Sequence, residues 1–178
     1  MSGIKSHEIS DPNFSTEKPE AHDLSEIAYE GGESHQSDRV VIVVSKWNKD
    51  ITEALYQGAI SVLTEVGVRL ENILRYDVPG SFELPTAASI ALNKHYNLDG
   101  VICLGCIIQG ETRHFEFIAN AVANGIMQIS LNHSKPVIFG VLTPDTHEQA
   151  KARAGGNLGN KGAEAAVALL EMIDLERG

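Results

Sequence analysis

Positive charge is scarce in this chain. Lys and Arg number 14 against 24 Asp and Glu, for a formal net charge of −10. No basic cluster is visible that would grip a phosphate backbone, which excludes a general nucleic-acid binder. Long apolar runs are missing as well: no stretch of about 20 apolar residues exists to cross a bilayer, and no early apolar run with a basic flank marks a secretory signal. The first residues are acidic where a transit peptide is Arg-rich and poor in acids, so an intracellular, cytoplasmic location is expected. Cysteines number two. Cys103 and Cys106 have the spacing of a redox or zinc pair, but residues three apart on a strand point to opposite faces and no second pair completes a zinc set. Buried, inert thiols are the expected outcome. The seven histidines form no His-x-x-x-His pair and meet no acidic cluster at metal spacing, so no metal site is expected.

What is present is unevenly spread. Residues 1–38 hold nine acids and two lysines, are rich in Ser, Glu, Gly and Pro, and are poor in aliphatics. Such a segment cannot bury enough apolar surface to offset its ordering entropy, and a flexible acidic tail is expected. Residues 39–178 keep the other 15 acids and 12 bases, and the chain's 43% hydrophobic content is ordinary for one globular domain.

From Arg39 the pattern alternates. "RVVIVVS" is a continuous apolar run rich in Val and Ile, as in a central parallel strand covered on both faces. In the following "DITEALYQGAISVLTEVG", Ile51, Leu55, Ala59, Val62, Leu63 and Val66 fall on one helical stripe, and Gly67 stops it. "ENILRYDV" reads as a second strand followed by the helix "LPTAASIALNKH". "LDGVICLG" leads to "EFIANAVANGIMQISLN", and "KPVIFGVL" to a helical C-terminus. Four strand-helix alternations predict an α/β protein with a central, mainly parallel four-stranded sheet and right-handed crossovers.

In such sheets ligands bind outside the carboxyl ends of the strands, and the unusual residues cluster there. The first strand delivers Trp47 and Asn48, and the second Val78-Pro79-Gly80-Ser81-Phe82-Glu83. The third delivers Gln109 to His114, and the fourth Thr143-Pro144-Asp145. Taken singly, Trp47 reads as a packing residue and Pro79-Gly80 as an ordinary turn; their shared placement makes a site at this rim the better reading. Gly105 and Gly110 have the spacing of a phosphate-binding loop, but Glu111-Thr112 stands where Lys-Ser/Thr is required, which excludes an NTPase loop. A strand-to-helix junction carrying Gly-Glu-Thr-Arg-His still suits a smaller anion with proton chemistry beside it.

The segments "SKWN", "VPGSFELP", "GCIIQGETRHFEFIANAVANGIMQ", "PVIFGVLTPDTHEQAKARAG" and "GNKGAEAA", in this order, cover nearly all of the body, and with them the chain resembles the lumazine synthases of riboflavin biosynthesis. The resemblance implies a three-layer flavodoxin-like sandwich with helices on both faces. It also implies condensation of 5-amino-6-(D-ribitylamino)uracil with 3,4-dihydroxy-2-butanone 4-phosphate to 6,7-dimethyl-8-ribityllumazine, phosphate and water. No cofactor is needed, because no redox step occurs. The partners implied are small-molecule substrates and copies of the same chain in a pentamer with sites between subunits.

Residue by residue, the resemblance implies that the indole of Trp47, at a position usually Phe, stacks on the pyrimidine, where offset stacking contributes about 0.5–1.5 kcal/mol beyond burial. The larger ring is expected to alter inhibition by flavins. Asn48, Ser81 and Glu83 match positions at the ribityl chain, with Gly80, Phe82, Cys106, Ile107 and Ile108 around them. Glu83 also reads as a helix N-terminal charge. Gly110, Glu111 and Thr112 face the phosphate, Arg153 clasps it with a planar fork, and Lys161 stands nearby. His114 matches the proton-transfer position, suited to an imidazole that exchanges protons near neutral pH. Phe139 covers the pyrimidine from the adjacent subunit.

Gln109 stands where Arg or Lys is common, leaving more of the phosphate to Arg153 and backbone amides. Gly156 and Asn157 replace a frequent Thr and Lys, with no insertion before the last helix, which is compatible with a sixty-subunit icosahedral shell and equally with a free pentamer. The end of the tail is expected to add a strand to a neighbour's sheet edge. Two alternatives stand beside this reading: an archaeal-type riboflavin synthase, separated by its indifference to phosphate, and a flavin-binding or shell-forming protein with decayed catalysis.

Overall fold

The computed structural model describes residues 28–32 and 34–178, so most of the expected tail lies outside the described residues. Four strands, β1 (Val40–Ser45), β2 (Ile73–Val78), β3 (Gly100–Cys106) and β4 (Val137–Leu142), form one parallel sheet in the order β2-β1-β3-β4. β1 and β3 are buried along their whole length, which is why both read as unbroken apolar runs rather than as alternating ones.

Side chains leave the sheet alternately. Val40, Ile42 and Val44 of β1, with Ile102 and Leu104 of β3, pack against α1 (Lys49–Glu65) and the C-terminal helix α5 (Lys161–Arg177) through Ile51, Leu55, Ala59, Leu63, Leu169 and Leu170. Val41, Val43, Val101 and Cys103 face α2 (Leu84–Lys94) and α3 (His114–His133) through Ala88, Ala91, Val122 and Ile126. Two apolar layers on one sheet make the flavodoxin-like three-layer sandwich. Of the stripe expected on α1, Ile51, Leu55, Ala59 and Leu63 are buried, whereas Val62 and Val66 are partly covered at its edge. Truncating a fully buried leucine such as Leu55 to Ala typically removes about 2–5 kcal/mol.

Between β4 and α5 lie a short helix, α4 (His147–Ala152), and a small antiparallel hairpin of β5 (Ala154–Gly156) and β6 (Gly159–Asn160). Asn160 caps α5, its side-chain oxygen accepting from the amides of Gly162 (2.8 Å) and Ala163 (3.2 Å), and its Nδ2 donates to the Ala54 carbonyl on α1 (3.0 Å). Glycine is required at 162: a Cβ there would stand 1.9 Å from the Leu55 carbonyl oxygen. The hairpin, α1 and the start of α5 are thereby held as one unit.

The residues leading into β1 are tied to the end of α5. His35 and Asp38 are fully buried; His35 lies 2.7 Å from Asp38 through Nδ1 and 2.6 Å from the Tyr29 hydroxyl through Nε2. Tyr29 donates to Asp174, and Arg177 donates to Asp38. The carboxylates of Asp38 first, then of Asp99 and Asp174, hold the Arg177 guanidinium above its usual range. Among the described residues no helix is long and apolar enough to cross a membrane.

Candidate active site

Because β1 sits inside the sheet, the chain leaves it to form β2 on one side and later β3 on the other, so the crevice between the ends of β1 and β3 is the topological switch point. A cavity of about 540 Å³ opens there. The loop after β1 lines it with Trp47 and Asn48, the loop after β2 with Gly80, Ser81, Phe82 and Glu83, and the end of β3 with Cys106, Ile107 and Ile108. The start of α3 adds His114 and Ile118.

Each wall has a local reason for its shape. Asn48 adopts a left-handed backbone (φ 55°), which Asn tolerates better than most residues, and begins α1. Its Nδ2 donates to the Cys106 carbonyl at 3.0 Å. Glu83 folds back to accept from the Gly80 amide at 2.9 Å in the turn before α2, and also lines the cavity. Ser81 is buried, and its Oγ has no hydrogen-bond partner among the described residues; a desolvated hydroxyl of this kind is a group a ligand atom can satisfy. Trp47 is 72% exposed and Phe82 56%. The packing reading of Trp47 therefore fails: the indole stands out at the mouth, its Cδ1 only 3.4 Å from where a Gly80 Cβ would lie.

His114 is the first residue of α3 rather than part of the preceding loop, and its amide donates to the Thr112 hydroxyl at 3.4 Å. Gln109, Gly110, Glu111 and Thr112 are exposed beside the cavity and outside its lining. The loop after β4 sits at the same rim, beside the loop after β3, with Thr143, Pro144 and Asp145 outside the cavity lining. That loop acts as a brace instead, the Pro144 carbonyl accepting from the Gln109 amide at 3.0 Å.

Phe139, Arg153 and Lys161 also lie outside this cavity. Phe139 is partly buried on β4 against the α2/α3 layer. Arg153 ends α4, and Lys161 begins α5. Both meet a residue the sequence reading missed: Glu164 lies 2.7 Å from Arg153 Nη2 and 3.0 Å from Lys161 Nζ. Arg153 Nη1 also donates to the Leu158 carbonyl. The Arg153 side chain is only 22% exposed.

Two spacing signals would have found the missed residues. Ile118 stands four residues after His114, and Glu164 three after Lys161, each on the same helix face as its partner.

The thiols point to opposite faces of β3, Cys106 toward the α1/α5 layer and Cys103 toward α2/α3, and both are free. Burial pushes Cys103 up to about 12; burial, with some repulsion from Asp50, pushes Cys106 up to about 11. Cys106 thus borders the cavity without supplying a thiolate nucleophile near neutral pH. Among the described residues no group of three or more His, Cys, Asp or Glu could hold a metal ion.

Comparison with known proteins places this geometry in context. A family model described as 6,7-dimethyl-8-ribityllumazine synthase matches residues 37–177. A 6,7-dimethyl-8-ribityllumazine synthase of Cytophaga hutchinsonii is 55% identical over 148 residues, covering 82% of this chain and 92% of the relative. One of Porphyromonas gingivalis is 48% identical over 156 residues, covering 88% and 96%. One of Coxiella burnetii is 46% identical over 143 residues, covering 80% and 93%.

Proposed function

The chain belongs to the 6,7-dimethyl-8-ribityllumazine synthase family, and from that premise we propose how its residues divide the work. It is a transferase of riboflavin biosynthesis, condensing 5-amino-6-(D-ribitylamino)uracil with 3,4-dihydroxy-2-butanone 4-phosphate. The amine adds to the ketone, water leaves to give an imine, phosphate departs, and the ribityl-bearing nitrogen closes the second ring with loss of water.

The observation that carries the assignment is the cavity at the switch point. Trp47 stacks on the pyrimidine from one side of the mouth. Asn48, Ser81 and Glu83 hold the ribityl chain; the unpartnered Ser81 hydroxyl supports this, because ribityl hydroxyls are partners it can accept from or donate to. Cys106, Ile107 and Ile108 form an apolar floor that excludes water from the imine. Gly110, Glu111 and Thr112, at the N-terminal approach to α3, receive the phosphate. His114, at the cavity edge, moves protons during imine formation and phosphate loss. An amine attacks a ketone with little help, so holding two reactants together supplies the larger share of the acceleration.

Phe139, Arg153 and Lys161 complete the site of an adjacent subunit in a homopentamer. Two observations support this: none of the three lines the cavity of its own chain, and α3 shows water an apolar face with Phe117 70%, Met127 60% and Leu131 71% exposed, more than an isolated subunit ordinarily leaves uncovered. Pentamers either close into a sixty-subunit shell or stay free, and the enzyme works in the cytoplasm. The test mixes purified protein with both substrates and follows lumazine absorbance and free phosphate against the spontaneous reaction. Saturable, equal production of both is expected; tight flavin binding without acceleration would overturn the reading. Sedimentation separates the two assemblies.

A further inference from the structure

One carboxylate is shared by the two cations assigned to the phosphate. Glu164 Oε1 lies 2.7 Å from Arg153 Nη2 and Oε2 lies 3.0 Å from Lys161 Nζ; Glu164 is 8% exposed, against 22% for the arginine and 33% for the lysine. The backbone reinforces the arrangement: the Lys161 amide donates to the Arg153 carbonyl at 2.9 Å, and the Leu158 amide to the Ala152 carbonyl at 2.9 Å, which closes the β5–β6 hairpin between them. Asn160, beside Lys161, is locked to α1 and to the first turn of α5. The carboxylate thus projects from a rigid helix end, while the two cations sit on long side chains that would otherwise sample many rotamers.

We propose that Glu164 is a positioning residue for the phosphate of the butanone substrate, its two oxygens holding Arg153 and Lys161 in fixed relation so that their remaining N–H groups meet phosphate oxygens without first being ordered. The inference rests on the proposed role of Arg153 and Lys161. Donor capacity supports it: an ammonium has three N–H donors and a guanidinium five. Lys161 donates once to Glu164, and Arg153 donates to Leu158 while lying at ion-pair distance from a Glu164 Oε1 that accepts no hydrogen bond, so several N–H groups stay free on each cation. Charge supports it too, since two cations and one carboxylate leave the cluster at +1 rather than +2. A cluster at +1 attracts a phosphate ester and still releases inorganic phosphate as product. Glu164 repels the incoming dianion, but both of its oxygens are already faced by cations, so the loss of ordered geometry outweighs the repulsion relieved when it is removed.

The test uses the full-length protein with Glu164→Gln, a neutral isostere, and Glu164→Asp, which keeps the charge on a shorter stem. The Glu164→Gln change is expected to raise the KM for the butanone phosphate and the inhibition constant of inorganic phosphate by about tenfold each, with kcat and the KM for the pyrimidine within about twofold. The Glu164→Asp change recovers part of the loss. In an Arg153→Ala, Lys161→Ala background, Glu164→Gln adds nothing further. An unchanged or lowered phosphate inhibition constant in folded Glu164→Gln protein would overturn the positioning role. Arg153→Ala read alongside separates the two layers. If it leaves the KM for the butanone phosphate unchanged, the phosphate role of Arg153 itself fails; if it raises that KM while Glu164→Gln does not, only the positioning role fails. Should Glu164→Gln not fold, Glu164→Asp carries the same test, with a smaller rise expected and no rise overturning it.

Discussion

Asn48 ties the loop after β1 to the last residue of β3, its Nδ2 donating to the Cys106 carbonyl at 3.0 Å while its own backbone is left-handed, φ 55° and ψ 51°. One residue thereby sets the width of the crevice. Asn48→Ala removes the hydrogen bond and leaves a Cβ in a region Ala resists, and is expected to lower stability by about 1–2 kcal/mol. Asn48→Gly loses the same bond but relieves the backbone, and is expected to fall by under about 1 kcal/mol. Urea denaturation orders the two, and both should raise the KM for the pyrimidine.

Gly105 is packed beneath the cavity. A Cβ there would lie 2.5 Å from Ser81 Oγ and 3.0 Å from Leu84 Cδ1, so Gly105→Ala must push the Ser81 turn toward the ligand. An overpacking loss of about 1–3 kcal/mol is expected, with a higher KM for the pyrimidine than for the butanone phosphate. Thermal denaturation and steady-state kinetics report the two effects separately.

Both thiols are held protonated at neutral pH, Cys103 up to about 12 and Cys106 up to about 11. An aromatic disulfide reagent at pH 8 is expected to label neither cysteine in folded protein and both after unfolding in guanidinium. Rapid labelling of Cys106 in the native state would show that the cavity floor opens.

On the surface, Arg75 grips Glu53 with Nη1 at 3.0 Å and Nη2 at 2.9 Å and sits 4.3 Å over the Tyr56 ring. Hydrogen bonding from Arg75 holds the Glu53 carboxyl below its ordinary value of 4.5. A carboxyl depressed in the folded state stabilises it above the unfolded value and loses that contribution as pH falls through the folded one. Stability should therefore decline below about pH 4.5, and Glu53→Gln should flatten that part of the urea-midpoint profile. Glu53 is 37% exposed, so the effect is small and salt-sensitive.

In the proposed reading His114 moves protons rather than binds. His114→Ala is expected to lower kcat by about 10²-fold, the low end of acid-base contributions, with both KM values little changed. A variant with unaltered kcat would reduce the residue to lining.

The sandwich is legible in the sequence because both of its periods are strong: Val40 to Val44 can only be covered on two faces, and Ile51, Leu55, Ala59 and Leu63 repeat as a helix must. The cavity is legible because Trp47, Ser81 and His114 follow strand ends that the topology brings to one rim. What escapes is short or depends on pairing. α4 has six residues and the hairpin strands three and two, too few for any period to register, and the glycines of "AGGNLGN" carry no alternation. Spacing pairs Glu164 with Lys161 three residues earlier, but its second cation, Arg153, is set beside it only by that hairpin. The bracing of the third loop by the fourth escapes too, because it runs through the backbone amide of Gln109 and the carbonyl of Pro144, which no side-chain pattern records.

The clasp of Tyr29, His35 and Asp38 on Asp174 and Arg177 has a topological meaning. Asp38 and Arg177 are 139 positions apart in sequence yet in direct contact, so the segment entering β1 and the last turn of α5 are fastened side by side. The domain is close to a closed ring of chain. Joining those two segments by a short linker and cutting an exposed loop elsewhere is expected to leave the four-stranded sheet intact.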